Sequence, residues 1–143
     1  DLETARELGR LIASEGWVLL TGGRASGVMD AASRGAAEAG GWVIGILPDS
    51  HKAGMSAHVD VPIVTGLDSA RNNINVLSSD IVMVCGVGMG TFSEVLLAAK
   101  AGKPVVLLNQ SEASTAFLEE FESGLFHFAA GPAEAIARAR ELL

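Results

Sequence analysis

Ten residues limit what this chain can fold into more than any others: Cys85-Gly86-Val87-Gly88-Met89-Gly90-Thr91-Phe92-Ser93-Glu94. An apolar run, Ile81-Val82-Met83-Val84, leads in, and an amphipathic run, Val95 to Ala101, leads out. That succession reads as strand, glycine loop and helix. Glycines lack the side chains that would hold an anion away from backbone N–H groups, and the next helix turns its partial positive end to the same spot. The stretch predicts a phosphate-binding turn at the carboxyl end of a strand.

The same alternation runs through the chain. Leu2, Ala5, Leu8, Leu11 and Ile12 predict a helix closed by Glu15-Gly16. Trp17–Thr21 reads as a buried strand, followed by a second glycine loop, Gly22-Gly23-Arg24-Ala25-Ser26-Gly27. An Ala-rich helix, Val28–Ala39, ends at Gly40-Gly41, and Trp42–Leu47 is a strand broken by Pro48. Residues 48–59 have no period and read as a surface loop. Val61-Pro62-Ile63-Val64 reads as an edge strand or an extended segment, because proline cannot serve a central strand. Asp68-Ser69 predicts a helix cap, with the helix running to about Ser78. After the central loop and its helix, which ends at Gly102, come a strand at Pro104–Leu108, a helix near Ser114–Phe121 and a short strand at Leu125–Phe128. Pro132 opens a last helix to Leu143.

Continuous apolar strands alternating with helices predict an α/β domain: a doubly wound parallel sheet flanked by helices, spanning residues 1–143 as a single domain. Such a domain opens on a strand. This chain opens on a helix, so a first strand is expected upstream of residue 1. Ligands of such sheets bind at strand carboxyl ends, where both glycine loops fall.

Composition narrows the function. The 143 residues carry a net charge of −7, which argues against nucleic-acid or anionic-membrane binding. An anionic ligand must therefore be held by local positive groups. One cysteine excludes an internal disulfide and fits a reducing, cytoplasmic compartment. No apolar run approaches the ~20 residues needed to span a bilayer, and no signal sequence is visible.

Each candidate residue has a structural reading beside a functional one. Gly88, Gly90 and Thr91 form either a tight strand-to-helix turn or an anion cradle, with Met89 between them. Thr91-Phe92-Ser93-Glu94 fits a capping box, in which Glu94 reaches back to the N-cap N–H; alternatively Glu94 is a carboxylate at the mouth of a site. Arg71, in the first turn of its helix, opposes the helix dipole at a cost of up to ~1 kcal/mol, a sign that a nearby anion reverses. Arg24 stands in the same relation to the other glycine loop, so the two arginines favour an anion site. Asn72, Asn73 and Asn75 crowd one short helix and offer donors and acceptors to a ligand or an interface. Cys85 reads as a small core residue, with a soft metal ligand as the alternative. His51 and His58 lack a partner cluster for a protein metal site, and His127 reads as structural.

Several stretches together resemble a known family. Gly22-Gly23-Arg24 through Gly27-Val28-Met29, Gly35-Ala36, Gly40-Gly41 through Gly45-Ile46-Leu47-Pro48, and Gly88–Glu94 are similar to the LOG, or "lysine decarboxylase-like", superfamily. Gly16–Arg24, Val61–Arg71, Asn73–Ser79 and Lys103–Leu108 resemble its molybdenum-cofactor carrier branch. The resemblance covers nearly the whole chain. It implies a Rossmann-like fold and a carrier that binds, protects and delivers the molybdenum cofactor without turnover. It implies cofactor contacts from Gly22, Gly23, Arg24, Ser26, Gly27, Arg71, Asn75, Gly88, Met89, Gly90, Thr91 and Glu94. It also implies a homo-oligomer, dimer or tetramer, and molybdoenzymes as recipients.

The alternative within that superfamily is a phosphoribohydrolase that cleaves nucleoside 5'-monophosphates, with Glu94 and Arg71 as its catalytic pair. The hydrolase motif is Pro-Gly-Gly-x-Gly-Thr-x-x-Glu with an upstream Arg-Lys pair. This chain has Gly86-Val87-Gly88 and Arg71-Asn72 there, which counts against hydrolysis. A nucleotide-binding sensor domain is a third reading.

Overall fold

The structure is a computed structural model and describes every residue except Val87 and Glu122. The chain divides into two compact units, Asp1–Asn75 and Val76–Leu143. The architecture is the expected Rossmann-like α/β arrangement, with helices alternating with strands and every strand pairing parallel.

The first unit opens with α1 (Leu2–Ser14), then β1 (Leu19–Thr21), α2 (Gly27–Glu38), β2 (Val43–Leu47) and β3 (Val61–Val64). A 3-10 turn at Asp68–Ala70 leads into α3 (Arg71–Ser78), within which the boundary between the units falls. The strands lie in the order β1-β2-β3, with Leu19 opposite Val43 and Ile44 opposite Val61. Pro62 sits on β3, an edge of this sheet, as its missing N–H requires. Ala5, Leu8 and Ile12 bury one stripe of α1, and Ala32 and Ala36 bury the facing stripe of α2. The two helices touch backbone to backbone. A Cβ on Gly9 would overlap the carbonyl oxygen of Ala32, and one on Gly35 would overlap that of Arg6.

The second unit continues with β4 (Val82–Cys85), α4 (Met89–Lys100), β5 (Val105–Leu108), α5 (Glu112–Glu119), β6 (Phe126–Ala129) and α6 (Pro132–Leu142). The strand order is β4-β5-β6. All four residues of β5 are buried, which suits the central strand of a parallel sheet covered on both faces. Its core joins Val76, Val84, Val95, Ala98, Val105, Leu107 and Leu118, with Phe92, Phe126 and Phe128 against them.

Three helix ends share one mechanism. After α1, Gly16 N–H donates to Ala13 O and Trp17 N–H to Ile12 O; after α2, Gly40 and Gly41 bond Ala37 and Ala36 in the same way. After α4, Gly102 and Lys103 bond Ala99 and Ala98. Gly16, Gly40 and Gly102 have φ between 72° and 77°, the left-handed conformation this closure needs. It corrects one expectation. Trp17 belongs to the helix closure and not to a strand, so β1 begins at Leu19.

Three further expectations need correction. Asp68 and Ser69 do not cap a helix through a side chain. They form the 3-10 turn, Asp68 has φ 49°, and α3 starts only at Arg71. Trp42, expected in a strand, lies outside β2 and is 64% exposed. The helix expected near Ser114 starts earlier, at Glu112, because Ser111 accepts the Ser114 N–H as its N-cap.

Candidate functional site

In the second unit the central stretch places its anion cradle at the start of α4. Gly88 is the N-cap, in extended conformation, and no side chain caps it. The first intrahelical bond runs from Phe92 N–H to Gly88 O. The N–H groups of Met89, Gly90 and Thr91 belong to the first turn and have no carbonyl within the helix to bond. Met89 is 94% exposed and Gly88 and Gly90 are exposed, so this turn is open. Val87, part of the motif, lies outside the described residues.

This start overturns the capping-box reading. With Gly88 as N-cap, Thr91 is the third helical residue and Glu94 lies a turn further on. Thr91 is not the cap, and Glu94 is beyond the position from which it reaches back to one.

The glycines here differ in what they need. Gly86 has φ 85° and serves the turn. Gly88 and Gly90 have no left-handed φ. A Cβ on Gly90 would meet nothing within 4 Å, and one on Gly88 would meet only Thr91 Oγ1 at 3.9 Å. Among the described residues no close neighbour demands glycine at either place; at Gly88, the N-cap, glycine is still favoured over alanine, but at Gly90, inside the helix, it costs up to about 1 kcal/mol against alanine. Space left clear over three uncapped amides is what a bound anion uses.

The first unit holds the other glycine loop, at the carboxyl ends of β1 and β2. Its backbone is partly spoken for. Gly23 N–H donates to Thr21 Oγ1 (3.0 Å), and Ala25 N–H donates to Gly54 O (2.9 Å). Ser56 N–H in turn donates to Gly23 O (2.8 Å), so Arg24 and Met55 form an antiparallel bridge. The 48–59 segment is therefore pinned to the loop. Ser56, fully buried, tightens the join by donating to Asp30 Oδ1 at 2.6 Å. Two amides of Gly22–Gly27 are thus unavailable to a phosphate, and the start of α4 is the stronger cradle.

Gly22 has a different task. A Cβ there would overlap Arg71 Nη1 and come within 2.6 Å of Met29 Sδ. Arg71, expected with Arg24 to favour an anion site, is buried, and its Nη1 donates to Ile46 O at 2.9 Å. It braces the end of β2 against α3. Asn75, one turn on, is buried too. Arg24 and Ser26 are exposed, and Arg24 makes no ion pair or side-chain hydrogen bond among the described residues. Lys52, exposed in the bridged segment, was not singled out by the sequence: a lone lysine in an aperiodic loop carries no pattern. The Asp30–Ser56 pair was missed because its partners are 26 positions apart.

Cys85 ends β4, half-buried, and burial pushes its thiol up to about 11. That fits a small packed residue and not a thiolate ligand. The folded chain keeps a proton that the unfolded chain releases between about pH 9 and about pH 11. Stability from this group is therefore level below pH 9 and falls as pH rises through that window. Iodoacetamide should label the native protein slowly at pH 8 and much faster towards pH 11, whereas fast labelling at pH 8 would contradict the buried thiol. Among the described residues no group of three or more His, Cys, Asp or Glu could hold a metal ion. No helix there is long and apolar enough to cross a membrane.

A parallel α/β chain with glycine turns at strand carboxyl ends and an open helix start is built as a Rossmann-like ligand-binding protein. Residues 1–136 match the SLOG cluster4 family, and the chain belongs to that family. Among solved structures it is similar to the molybdenum cofactor binding protein of Rippkaea orientalis, with 51% identity and a TM-score of 0.96, covering 99% of this chain and 86% of that one. It is equally similar to the molybdenum cofactor carrier protein of Chlamydomonas reinhardtii, with 52% identity and a TM-score of 0.93 over the same shares. A more distant relative is a cytokinin riboside 5'-monophosphate phosphoribohydrolase of Mycobacterium tuberculosis. It is 33% identical over 116 residues, which cover 76% of this chain and 62% of that protein.

Proposed function

We infer that the chain is a carrier that binds the molybdenum cofactor as cargo, shields it and hands it on intact. The observation that carries this reading is identity of 51–52% with two cofactor-binding proteins over 99% of the chain. The chemistry of the second unit supports it. The terminal phosphate of the cofactor rests on the N–H groups of Met89, Gly90 and Thr91, in the space that Gly88 and Gly90 leave clear. In the first unit Arg24 and Lys52 supply exposed positive charge, and Gly22, Gly23, Ser26 and Gly27 shape the loop that presents Arg24. Arg71 and Asn75, being buried, hold that loop and α3 in place. Glu94 lies one turn inside α4 and serves the site's mouth. No bond is broken, so neither a general acid nor a general base is required.

As part of the same reading, residues 1–143 work as one ligand-binding domain in a cytoplasmic homo-oligomer that delivers to molybdoenzymes and takes no nucleic acid. The test is direct. Cofactor released from a molybdoenzyme is mixed with the purified protein and followed by gel filtration and by its oxidative decay. Co-elution and slower decay are expected, both reduced in Arg24→Ala. The relative at 33% identity makes a phosphoribohydrolase the competing reading. Free base released from AMP or a cytokinin monophosphate, and lost in Glu94→Ala, would replace the carrier reading with that one.

A further inference from the structure

The second unit has an open cleft of about 410 Å³ at the carboxyl ends of β5 and β6. Its polar lining comes from Asn109, Gln110, Thr115 and Glu134, and its apolar walls include Leu107 and Phe128. The volume falls in the range of small-molecule sites. Asn109 follows β5 with φ 53°, a left-handed conformation in which asparagine is among the few tolerated side chains. It turns the chain at the cleft's edge while its N–H stays on Ala129 O. The side chains of Asn109 and Thr115 make no hydrogen bond among the described residues.

Gln110 is oriented by its neighbours. Its Nε2 donates to Leu108 O (3.1 Å) and to Gly86 O (3.4 Å), and the two carbonyls fix which end of the amide faces them. Oε1 is left buried, with no hydrogen-bond partner among the described residues. The Gly86 contact ties the cleft's floor to the glycine turn before α4. Glu134 Oε2 accepts the Ala130 N–H at 2.9 Å, which holds the carboxylate at the rim. Arg138 lies 3.6 Å from Oε1, offsetting its charge.

This lining selects by charge and by hydrogen-bond sense. A carboxylate repels phosphate, and among the described residues no lysine or arginine lines the cleft. A cation gains little from a carboxylate that already faces an arginine. A neutral, flat ring with N–H donors meets an acceptor at Glu134, both senses of hydrogen bond at Asn109 and Thr115, and apolar contact at Phe128 and Leu107. We propose that the cleft is a ring-binding subsite for an amino-oxo-pyrimidine system, the class that includes pterins and guanine, with Glu134 accepting from the exocyclic amino group. The proposal rests on the carrier reading for its place in the function: the cleft takes the ring end of the cargo whose phosphate is held at α4.

The test titrates the 143-residue chain with unsubstituted pterin, read by the ligand's fluorescence anisotropy. Saturable binding is expected, undisturbed by inorganic phosphate or agmatine. Glu134→Gln keeps an acceptor for Ala130 N–H but removes the charge, and should weaken pterin binding about tenfold, as should Thr115→Val. Melting curves on both variants confirm that they fold. No saturation in the millimolar range, variants that bind like the parent, or displacement by agmatine would each overturn the proposal. Cofactor capture by the same variants separates the two readings. Capture by the parent that Glu134→Gln leaves intact sinks the cleft alone. Pterin binding at the cleft by a protein that retains no cofactor sinks the carrier reading and leaves the cleft standing.

Discussion

A Gly22→Ala variant should melt about 10 °C below the parent protein. The added methyl overlaps Arg71 Nη1 and crowds Met29 Sδ, and Arg71 is already buried. To admit it the guanidinium must leave, and Ile46 O loses the charged donor it has at 2.9 Å. Overpacking costs about 1–3 kcal/mol, and the hydrogen bond to a charged group about 1.5–3 kcal/mol. The sum, about 2.5–6 kcal/mol, is a large fraction of a domain's stability. Arg71 is the cause in this account, so the two positions must couple. In an Arg71→Ala background the Gly22→Ala penalty should shrink to a fraction of its value in a double-mutant cycle. An undiminished penalty there would show that Gly22 serves some other need.

Gly35→Ala sets two effects against each other. By helix propensity alone, alanine in the middle of α2 should stabilise the protein by roughly 1 kcal/mol. Sterics point the other way, because the Cβ would overlap the carbonyl oxygen of Arg6 and come within 2.8 Å of its carbonyl carbon. That neighbour is backbone and has no rotamer to escape into. α1 must lift off α2, loosening the contact that buries Ala5, Leu8, Ala32 and Ala36. Sterics should win by about 3 kcal/mol or more. Urea unfolding checks it, with Gly90→Ala as the control, since a Cβ there meets nothing within 4 Å. A Gly35→Ala protein with a higher midpoint than the parent would refute the close crossing.

What could be read from the sequence follows the range of the forces involved. Alternating apolar strands and helices, and glycines that close helices, are local signals, and they located each strand and helix to within a few residues. Pro62 marked β3 as an edge by a single missing N–H. Long-range pairings left no local mark. Nothing near Gly22 announces that Arg71, 49 positions on, must pass beneath it. Nothing near Ser56 announces Asp30. The capping-box pattern at Thr91–Glu94 was a true local motif that lost to a competing one, because Gly88 in extended conformation starts the helix a turn early. The cleft beside β5 and β6 was invisible for the same reason: Asn109, Gln110, Thr115 and Glu134 converge only once two strands and two helices are in place.

Gly90 carries one more implication. A chain selected for stability alone would hold alanine at this position in the first turn of α4, where the space exists and the helix would gain from it. Keeping glycine there transfers part of the folding free energy from the protein to whatever binds there, since a ligand that binds only the folded form stabilises it by mass action. The empty protein is then the more fragile state. Protein without ligand would be turned over faster, so its abundance would track the supply of what it binds.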